Sequence, residues 1–281
     1  MLDKYPQRLS IQNYLKEADS IPGWFAPIDV LLFQKFDQFQ YEEDLKGDLL
    51  EIGVYQGRSA ILLGYFRREQ EQLVVCDVFE TPAATDANRV ENQTSYQGLS
   101  RRIFEENYHR FHDHLPLILT CDSTNLSSHK LSRRFRFIHI DGSHLYEAVR
   151  ADIENAKRIL IDGGIVVFDD FRRAPGIAAA VWQEVVTGGL IPFCFTEAKM
   201  YGAWNTSPSD RLAALRAWAG DHASLETHTE VIFGHPVLGI KMKRAKANTV
   251  APNGFRNLAK LLVPPGVVIL GRWLRDRICI R

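Results

Sequence analysis

The central part of the chain alternates short apolar runs with segments in which apolar residues recur every three or four positions. Short apolar runs bounded by glycine or charge predict buried strands, and the periodic segments predict helices. This alternation is typical of an α/β fold with a parallel sheet. The predicted strands cover residues 48–54, 73–78, 115–121, 135–140 and 165–168, and the predicted helices cover residues 59–69, 99–109, 145–160 and 176–186.

The later part of the chain contains two pairs of strand-like segments. Residues 191–196 and 199–204 predict an antiparallel hairpin at the end of the sheet, and residues 231–234 and 237–242 predict a second hairpin about a His-Pro turn. Residues 211–219 predict a short amphipathic helix between them. Residues 80–98 have no clear apolar period, so we predict an irregular stretch there and a candidate lid.

These patterns predict a doubly wound, Rossmann-like α/β sheet, mostly parallel and completed by a C-terminal antiparallel hairpin. We divide the chain into an N-terminal helical cap over residues 1–40, a main domain over residues 41–206 and a C-terminal extension over residues 207–281. The last thirty residues are basic and apolar. They predict either an amphipathic membrane-contacting end or a helix packed on the protein or a second subunit, and the latter suits a homo-oligomer.

The amino-acid composition limits the kinds of molecule that the protein is expected to bind. The 281 residues include 34 basic and 34 acidic side chains, and this balance indicates neither a nucleic acid nor an acidic membrane partner. The four cysteines have no CxxC spacing, which favours a reduced, cytoplasmic protein over a zinc or disulfide framework. No secretory signal is seen, and no apolar run reaches the ~18–20 residues of a transmembrane helix.

Carboxylates follow two of the predicted strands. Asp169 and Asp170 end the apolar run that begins at residue 163, and Asp141 ends the strand over residues 135–140. Ligands bind at the carboxyl ends of strands in open α/β sheets, and adjacent like charges are costly to bury. Three such carboxylates suit a hard divalent cation. Alternatively, Asp141 is a helix N-cap and Asp170 a turn residue.

The first strand is followed by glycines that would let a ligand approach the backbone closely. Tyr55 stands where a dinucleotide fingerprint has its second glycine, so a pyrophosphate would meet a bulky side chain. This substitution disfavours a nicotinamide dehydrogenase and favours a nucleoside without phosphates. Asp77, at the end of the second strand, is either a ribose ligand or a solvated strand-end residue. Asp122 and Ser123 follow the third strand and are candidates to border an adenine.

Together these motifs resemble class I S-adenosylmethionine-dependent methyltransferases. More narrowly, they are similar to the cation-dependent O-methyltransferases of the catechol and caffeoyl-CoA type and to the macrocin-type enzymes that methylate sugars of natural products. The segments that carry the resemblance are residues 50–60, 77–80, 140–147 and 163–170.

The resemblance implies roles for individual residues. The predicted cofactor site for S-adenosyl-L-methionine consists of Glu51, Gly53, Tyr55, Gly57, Ser59, Asp77, Asp122 and Ser123. Of these, Glu51, Gly53, Tyr55 and Ser59 would surround the methionine part, Asp77 the ribose and Ser123 the adenine. The predicted metal ligands for Mg²⁺ are Asp141, Asp169 and Asp170. A cation there would lower the pKa of an acceptor hydroxyl and orient it.

The predicted catalytic residues are Asp141 and His144. His144 lies three residues after Asp141, where catechol-type enzymes have a lysine base, and its ordinary pKa of ~6.5 suits that role. Macrocin-type enzymes read D-G-D at this motif, and Ser143 replaces their second acid. His139 faces away from Ile138 and Ile140 by strand alternation, which predicts a structural histidine.

The sequence therefore predicts an S-adenosylmethionine- and Mg²⁺-dependent O-methyltransferase. Its partner would be a small molecule that carries a hydroxyl, with a glycosyl, polyketide or diol-like acceptor favoured. One alternative is an enzyme of related fold with different chemistry, such as hydroxylation. The other is a non-catalytic S-adenosylmethionine-binding protein of a biosynthetic cluster.

Overall fold

The computed structural model of the protein describes residues 7–129, 131, 134–205 and 209–243. Its helices are α1 (Gln7–Glu17), α2 (Pro27–Glu42), α3 (Arg58–Phe66), α4 (Asp86–Ser95), α5 (Arg101–His109), α6 (Tyr146–Ile159), α7 (Pro175–Thr187) and α8 (Ser209–Asp221). Its strands are β1 (Asp48–Ile52), β2 (Leu73–Asp77), β3 (Leu117–Thr120), β4 (Phe135–Ile140), β5 (Leu160–Phe168), β6 (Ile191–Phe195), β7 (Met200–Ala203), β8 (Leu225–Ile232) and β9 (His235–Met242). Short 3₁₀ helices span Ala18–Ser20 and Ser123–His129.

The described strands form one nine-stranded sheet in the order β3-β2-β1-β4-β5-β7-β6-β9-β8. Strands β1 to β5 are mutually parallel, β7 runs antiparallel to both β5 and β6, and β9 is parallel to β6. The predicted fold class is thus confirmed. The strand order reverses between β1 and β4, and ligands of open α/β folds bind at such a switch point.

Both faces of the central parallel strands β1 and β4 are buried. Leu49, on β1, belongs to the core shared with α2 and α3, whereas Leu50 and Ile52 belong to the core shared with α6 and α7. Helices cover the sheet on both sides, so every residue of β1 and β4 is buried. This is why these strands appear in the sequence as continuous apolar runs instead of alternating ones.

The predicted irregular stretch over residues 80–98 contains helix α4, so that prediction is wrong. No residue of α4 is buried, and therefore the sequence has no apolar period there. The helix begins with a side-chain cap, in which Thr85 Oγ1 accepts a hydrogen bond from the Asn88 amide at 3.2 Å.

The second predicted hairpin is present, but its turn is not at His-Pro. His235 and Pro236 belong to β9, and the turn lies at Phe233 and Gly234. Both turn residues have positive φ, at 47° and 83°, as a two-residue hairpin connection requires. Strand β5 also begins earlier than predicted, at Leu160.

The sheet continues beyond residue 206, because β8 and β9 pair onto β6. The division into cap, main domain and extension stays a prediction. The predicted amphipathic end over residues 252–281, and the homo-oligomer inferred from it, lie outside the described residues. Within the described ranges, no helix combines the length and apolarity needed to span a membrane.

A buried arginine holds α2 at the amino ends of the central strands, away from the carboxyl ends where the switch point lies. Arg136, on β4, is 0 % exposed and forms a bidentate ion pair with Glu71, in which both N···O distances are 2.9 Å. Its guanidinium also donates to Asp37 at 2.8 Å and to Gln40 at 2.7 Å, both on α2. The Gln40 amide in turn donates to the Arg136 carbonyl at 2.7 Å, so β4 and α2 are joined by a closed hydrogen-bonded ring.

We predict that Arg136→Ala lowers the free energy of unfolding by about 3–5 kcal/mol, because the buried Glu71 carboxylate loses its closest cation and keeps only the more distant Arg68, at 3.8 Å. Arg102→Ala is the matched control, since Arg102 pairs with Glu106 on the exposed surface and should cost less than ~1 kcal/mol. Urea unfolding of both variants measures the difference. Equal losses would show that the buried cluster does not stabilise the fold.

Candidate active site

The loops at the carboxyl ends of the parallel strands contain several residues with left-handed backbone. A positive φ costs a non-glycine residue about 1–3 kcal/mol, and such residues concentrate at functional sites. At this edge they are Tyr55 after β1 (φ 48°), Phe79 after β2 (φ 46°) and Asp170 after β5 (φ 45°), together with the glycines Gly53 (φ 79°) and Gly57 (φ 97°).

Gly53 brings the loop after β1 against the loop after β4. A Cβ atom added to Gly53 would lie 1.9 Å from the carbonyl oxygen of Asp141. Any larger residue would clash with that carbonyl, and the positive φ of 79° also favours glycine at this position. The predicted cofactor loop and the predicted metal loop are therefore in direct backbone contact.

Glu51 is fully buried at the end of β1. Its Oε1 accepts the hydroxyl hydrogen of Ser59 and lies 2.7 Å from Nδ1 of His139. Its Oε2 has no hydrogen-bond partner within the described part of the chain. Burial raises the pKa of Glu51 to about 8. One buried carboxylate oxygen is thus available to a ligand that donates hydrogen bonds.

Asp77 fixes the cofactor loop. Its Oδ2 accepts hydrogen bonds from the amides of Val54 at 2.8 Å and Tyr55 at 3.0 Å, and its Oδ1 accepts from the amide of Phe79 at 3.1 Å. These bonds hold the two left-handed residues in place. The contact of Asp77 with a ribose stays a prediction. The structure shows instead that Asp77 holds the loops after β1 and β2 through their backbone amides.

Asp122 and Ser123 lie immediately after β3. The Asp122 carboxylate accepts from the Ala84 amide at 2.8 Å and from the amide and hydroxyl of Thr124 at 3.1 and 2.6 Å. It thereby ties the segment before α4 to the end of β3. Ser123 begins the 3₁₀ helix that follows. Their predicted place beside an adenine is not tested by these contacts.

A compact group of possible metal ligands lies at the ends of β4 and β5. Ligand atoms of His139, Asp141 and Asp169 all lie within 4.8 Å of one another. Burial, reinforced by the neighbouring Asp169, raises the pKa of Asp141 well above its ordinary value. The metal ligands predicted from the sequence were Asp141, Asp169 and Asp170, so His139 stands in the observed cluster in place of Asp170. Asp170 is the next residue along, and its side chain faces His144.

Lys199 is the main residue at this site that the sequence did not indicate. It is only 1 % exposed, its ammonium is ion-paired with Asp169 Oδ2, and it lies 3.0 Å from Nε2 of His139. Burial alone would raise the pKa of Asp169, but the Lys199 ammonium lowers it below the ordinary value. Asp169 and Asp141 in turn raise the pKa of Lys199 against the effect of burial.

His144 lies between two carboxylates. Its Nδ1 is 3.0 Å from Glu91 and its Nε2 is 3.4 Å from Asp170. Hydrogen bonds with Asp170 and Glu91 raise the pKa of His144 to about 10, so the imidazole is charged at neutral pH. A general base needs the neutral ring. His144 can therefore act as the predicted base only if its contact with Glu91 or with Asp170 is replaced, which would lower its pKa.

Glu91, on α4, was also missed by sequence reasoning. It accepts hydrogen bonds from the Ser143 hydroxyl at 2.9 Å and from the His144 amide at 3.1 Å. A carboxylate thus lies beside Ser143, at the motif where macrocin-type enzymes have their second acid. Because α4 has no buried residues, nothing in its sequence marks Glu91 as part of a site.

Three aromatic rings from separate segments meet above the cofactor loop. Trp24 stacks on Tyr55 with ring centres 5.8 Å apart, and Tyr96 lies 6.2 and 6.0 Å from these two rings. The Tyr55 hydroxyl donates to the Gln97 carbonyl at 2.8 Å. The connection between α1 and α2 therefore reaches the site, as does the segment after α4.

A cavity of about 430 Å³ begins at Phe171, the residue after Asp170, and lies between α7, β6 and the β8–β9 hairpin. Its walls include Phe171, Trp182, Phe195 and Val237. The Arg172 guanidinium also lines it and sits 4.1 Å above the Phe195 ring.

Residues 50–171 match a family model described as a methyltransferase domain. This stretch is a methyltransferase domain. The matched range begins in β1 and ends just after Asp170, so it contains the loop after β1, which is the predicted cofactor loop, and the acidic cluster formed by Asp141, Asp169 and Asp170. The predicted resemblance is confirmed. A search of curated protein sequences found no match.

Solved structures similar to this chain include "Structure of the O-methyltransferase NovP", with 18% identity and a TM-score of 0.54 over 62% of this chain and 78% of that chain. CalS11, a calicheamicin methyltransferase, matches with 18% identity and a TM-score of 0.48 over 73% and 95%. An O-methyltransferase from Bacillus cereus matches with 15% identity and a TM-score of 0.45 over 70% and 90%. At such identities the NovP match supports the fold alone.

We predict that Glu91→Gln lowers the pKa of His144 from about 10, because it removes one of the two negative charges that stabilise the imidazolium. NMR titration of the imidazole resonances, assigned with His144→Gln, measures the change. Glu154→Gln is the control, since Glu154 is exposed and pairs with Arg150. Titration of wild-type His144 near the ordinary ~6.5 would contradict the two-carboxylate geometry.

A second buried carboxylate lies beneath the loop after β4. Asp152, on α6, is 0 % exposed, and neither of its oxygens has a hydrogen-bond partner among the described residues. One of these oxygens lies 3.5 Å from the position that a Cβ would take at Gly142. Burial raises the pKa of Asp152 to about 7.

We predict that Asp152→Asn stabilises the protein at about pH 8 but has little effect at about pH 4. The folded state keeps the Asp152 proton up to about pH 7, whereas the unfolded chain releases it near ~3.9, so wild-type stability falls between these values. The loss is at most about 4 kcal/mol, at ~1.4 kcal/mol for each pKa unit. Urea unfolding across this pH range measures it, with exposed Asp221→Asn as control. A pH-independent difference would contradict the assignment.

Proposed function

We propose that the protein transfers a methyl group from S-adenosyl-L-methionine to a hydroxyl oxygen of a small molecule. The observation that carries this proposal is the backbone contact between Gly53 and Asp141. It brings the buried Glu51 carboxylate of the cofactor side close to the carboxylate and imidazole groups of the acceptor side. Methyl transfer needs a cationic donor and an oxygen nucleophile held in line at such a junction.

The cofactor's methionine part would lie among Glu51, Gly53, Tyr55, Gly57 and Ser59. The unpaired Oε2 of Glu51 is suited to accept a hydrogen bond from the α-ammonium group. Asp77 is proposed to contact the ribose through its remaining acceptor capacity, and Asp122 and Ser123 are proposed to border the adenine.

In the reaction the acceptor oxygen attacks the methyl carbon, the carbon–sulfur bond breaks, and the hydroxyl proton is lost. We propose that this hydroxyl enters between His144 and Asp170, whose 3.4 Å contact is the longer of the two that His144 makes. Replacing that contact with a neutral hydroxyl would lower the pKa of His144 and allow it to act as the base. Asp141 would help to orient the acceptor.

Mg²⁺ dependence stays a prediction from the sequence. Asp141, Asp169 and Asp170 have the oxygen ligands that Mg²⁺ prefers. However, the Lys199 ammonium already pairs with Asp169, and His144 faces Asp170. As arranged, these residues do not fit a divalent cation well, and no step of the proposed reaction depends on one.

For the acceptor we propose a glycosyl, polyketide or diol-like compound. The cavity that begins at Phe171 supports a ring-bearing molecule, because Trp182 and Phe195 offer flat apolar surfaces and Arg172 offers a cation at its wall. The hydroxyl to be methylated would lie toward Asp170 and the rest of the molecule toward this cavity. A cytoplasmic location and a homo-oligomer stay predictions.

We predict that Asp170→Asn retains the affinity for S-adenosylmethionine but reduces turnover about 100-fold, because the acceptor hydroxyl loses the carboxylate proposed to hold it beside the base His144. Calorimetry measures cofactor binding, and methyl transfer from labelled cofactor to a panel of sugars, diols and phenols measures turnover. Exposed Asp210→Asn is the matched control.

The outcomes separate the alternatives. If the wild-type protein binds no S-adenosylmethionine, the methyltransferase proposal is wrong. If it binds the cofactor but methylates nothing in a broad panel, a non-catalytic binding protein or an enzyme of different chemistry is favoured. Unchanged turnover in Asp170→Asn would exclude the acceptor geometry proposed above while keeping the activity.

A further inference from the structure

A rigid hairpin turn aims Lys199 into the acidic cluster. The turn between β6 and β7 is closed by a hydrogen bond from the Thr196 amide to the Lys199 carbonyl at 2.9 Å, and by one from the Lys199 amide to Thr196 Oγ1 at 3.0 Å. Thr196 Oγ1 also donates to the buried carboxylate of Asp29, on α2, at 3.0 Å. The backbone that carries Lys199 is therefore anchored to both the sheet and the N-terminal helices.

The Lys199 side chain is enclosed and makes specific contacts. It is 1 % exposed, and its ammonium lies 5.6 Å from the centre of the Phe25 ring. The ammonium pairs with Asp169 and lies 3.0 Å from Nε2 of His139. Since the other ring nitrogen of His139 faces Glu51 at 2.7 Å, Nε2 is left to accept a hydrogen bond from Lys199.

The ammonium occupies the coordination space of a metal. His139, Asp141 and Asp169 are the only three residues in the described part of the chain whose ligand atoms cluster within 4.8 Å. Lys199 contacts two of these three. A divalent cation on Asp169 would lie next to the ammonium and compete with it for the same oxygen, and like charges at that distance repel strongly in a buried site.

We propose that Lys199 is the resident cation of this acidic cluster, so that the protein binds no divalent cation there and methyl transfer proceeds without one. The proposal rests on the proposed methyltransferase function for its consequence in catalysis. Lys199 acts as a positioning residue, because it holds Asp169 and His139 and does not touch the reacting atoms. Mg²⁺ at Asp141, Asp169 and Asp170, as expected from the sequence, would then be replaced by a charge that the chain itself supplies.

The test measures metal binding directly. Mn²⁺ is titrated into the wild-type protein and into Lys199→Met, and bound Mn²⁺ is followed by electron paramagnetic resonance, with Mg²⁺ as competitor. We expect no site in the wild-type protein and at least a tenfold gain in Mn²⁺ affinity in Lys199→Met, where His139 and Asp169, two of the three possible ligands, are freed of the ammonium. Lys241→Met is the control, because Lys241 is exposed and pairs with Glu226.

Wild-type binding of Mn²⁺ that Mg²⁺ displaces would overturn the proposal, and so would a folded Lys199→Met variant that fails to gain a site. If Lys199→Met does not fold, the wild-type titration decides alone. Turnover after chelation with EDTA is a second readout, and we expect it to be unchanged. Calorimetry with S-adenosylmethionine on the same sample keeps the two proposals apart, because loss of cofactor binding concerns the proposed function and leaves the Mn²⁺ result standing.

Discussion

The charge balance of the buried carboxylates at the switch point is the constraint on which the rest of the site depends. Parallel strands end here in Glu51, Asp141 and Asp169, and ionised carboxylates in a buried place need a cation, a proton or several hydrogen bonds. Asp169 has the Lys199 ammonium, whereas burial favours the protonated forms of Glu51 and Asp141. The ion pair holds the Asp169 side chain in place, and protonation allows Glu51 and Asp141 to stay buried beside it.

The fold supplies these partners from distant parts of the chain. Lys199 comes from the turn after β6, and Asp29, on α2, holds that turn through Thr196 and also accepts the Tyr201 hydroxyl at 2.8 Å. At the amino ends of the strands, Arg136 ties α2 to β4. Helix α2 is therefore attached near both ends of the parallel strands, and the segment that precedes it carries Trp24, which stacks on Tyr55.

The centre of the sheet was predictable because both faces of β1 and β4 are buried, and these strands therefore appear as apolar runs that lead into Gly53 and Asp141. Gly53, Asp141 and Asp169 were predictable for the same reason, since they follow directly from strand ends. Lys199 and Glu91 were not, because their roles depend on contacts far away in the sequence. Glu91 lies on a helix without buried residues, and a lysine in a hairpin turn is ordinarily solvated. Tertiary packing alone buries Lys199.

The buried hydrogen bonds also connect the two halves of the site. Ser59 donates to Glu51, His139 lies between Glu51 and Lys199, and Lys199 pairs with Asp169, so a continuous chain runs from the cofactor side to the acceptor side. His139 is neutral, because burial and the adjacent ammonium both lower its pKa. A neutral imidazole donates through one nitrogen and accepts through the other, so its orientation is fixed by the charged groups on either side. A cationic ligand beside Glu51 would favour the ionised carboxylate and strengthen its bond with His139, which in turn strengthens the bond from Lys199. If the proposed cofactor lies beside Glu51, its charge is thus linked to the ion pair of Lys199 and Asp169 through His139.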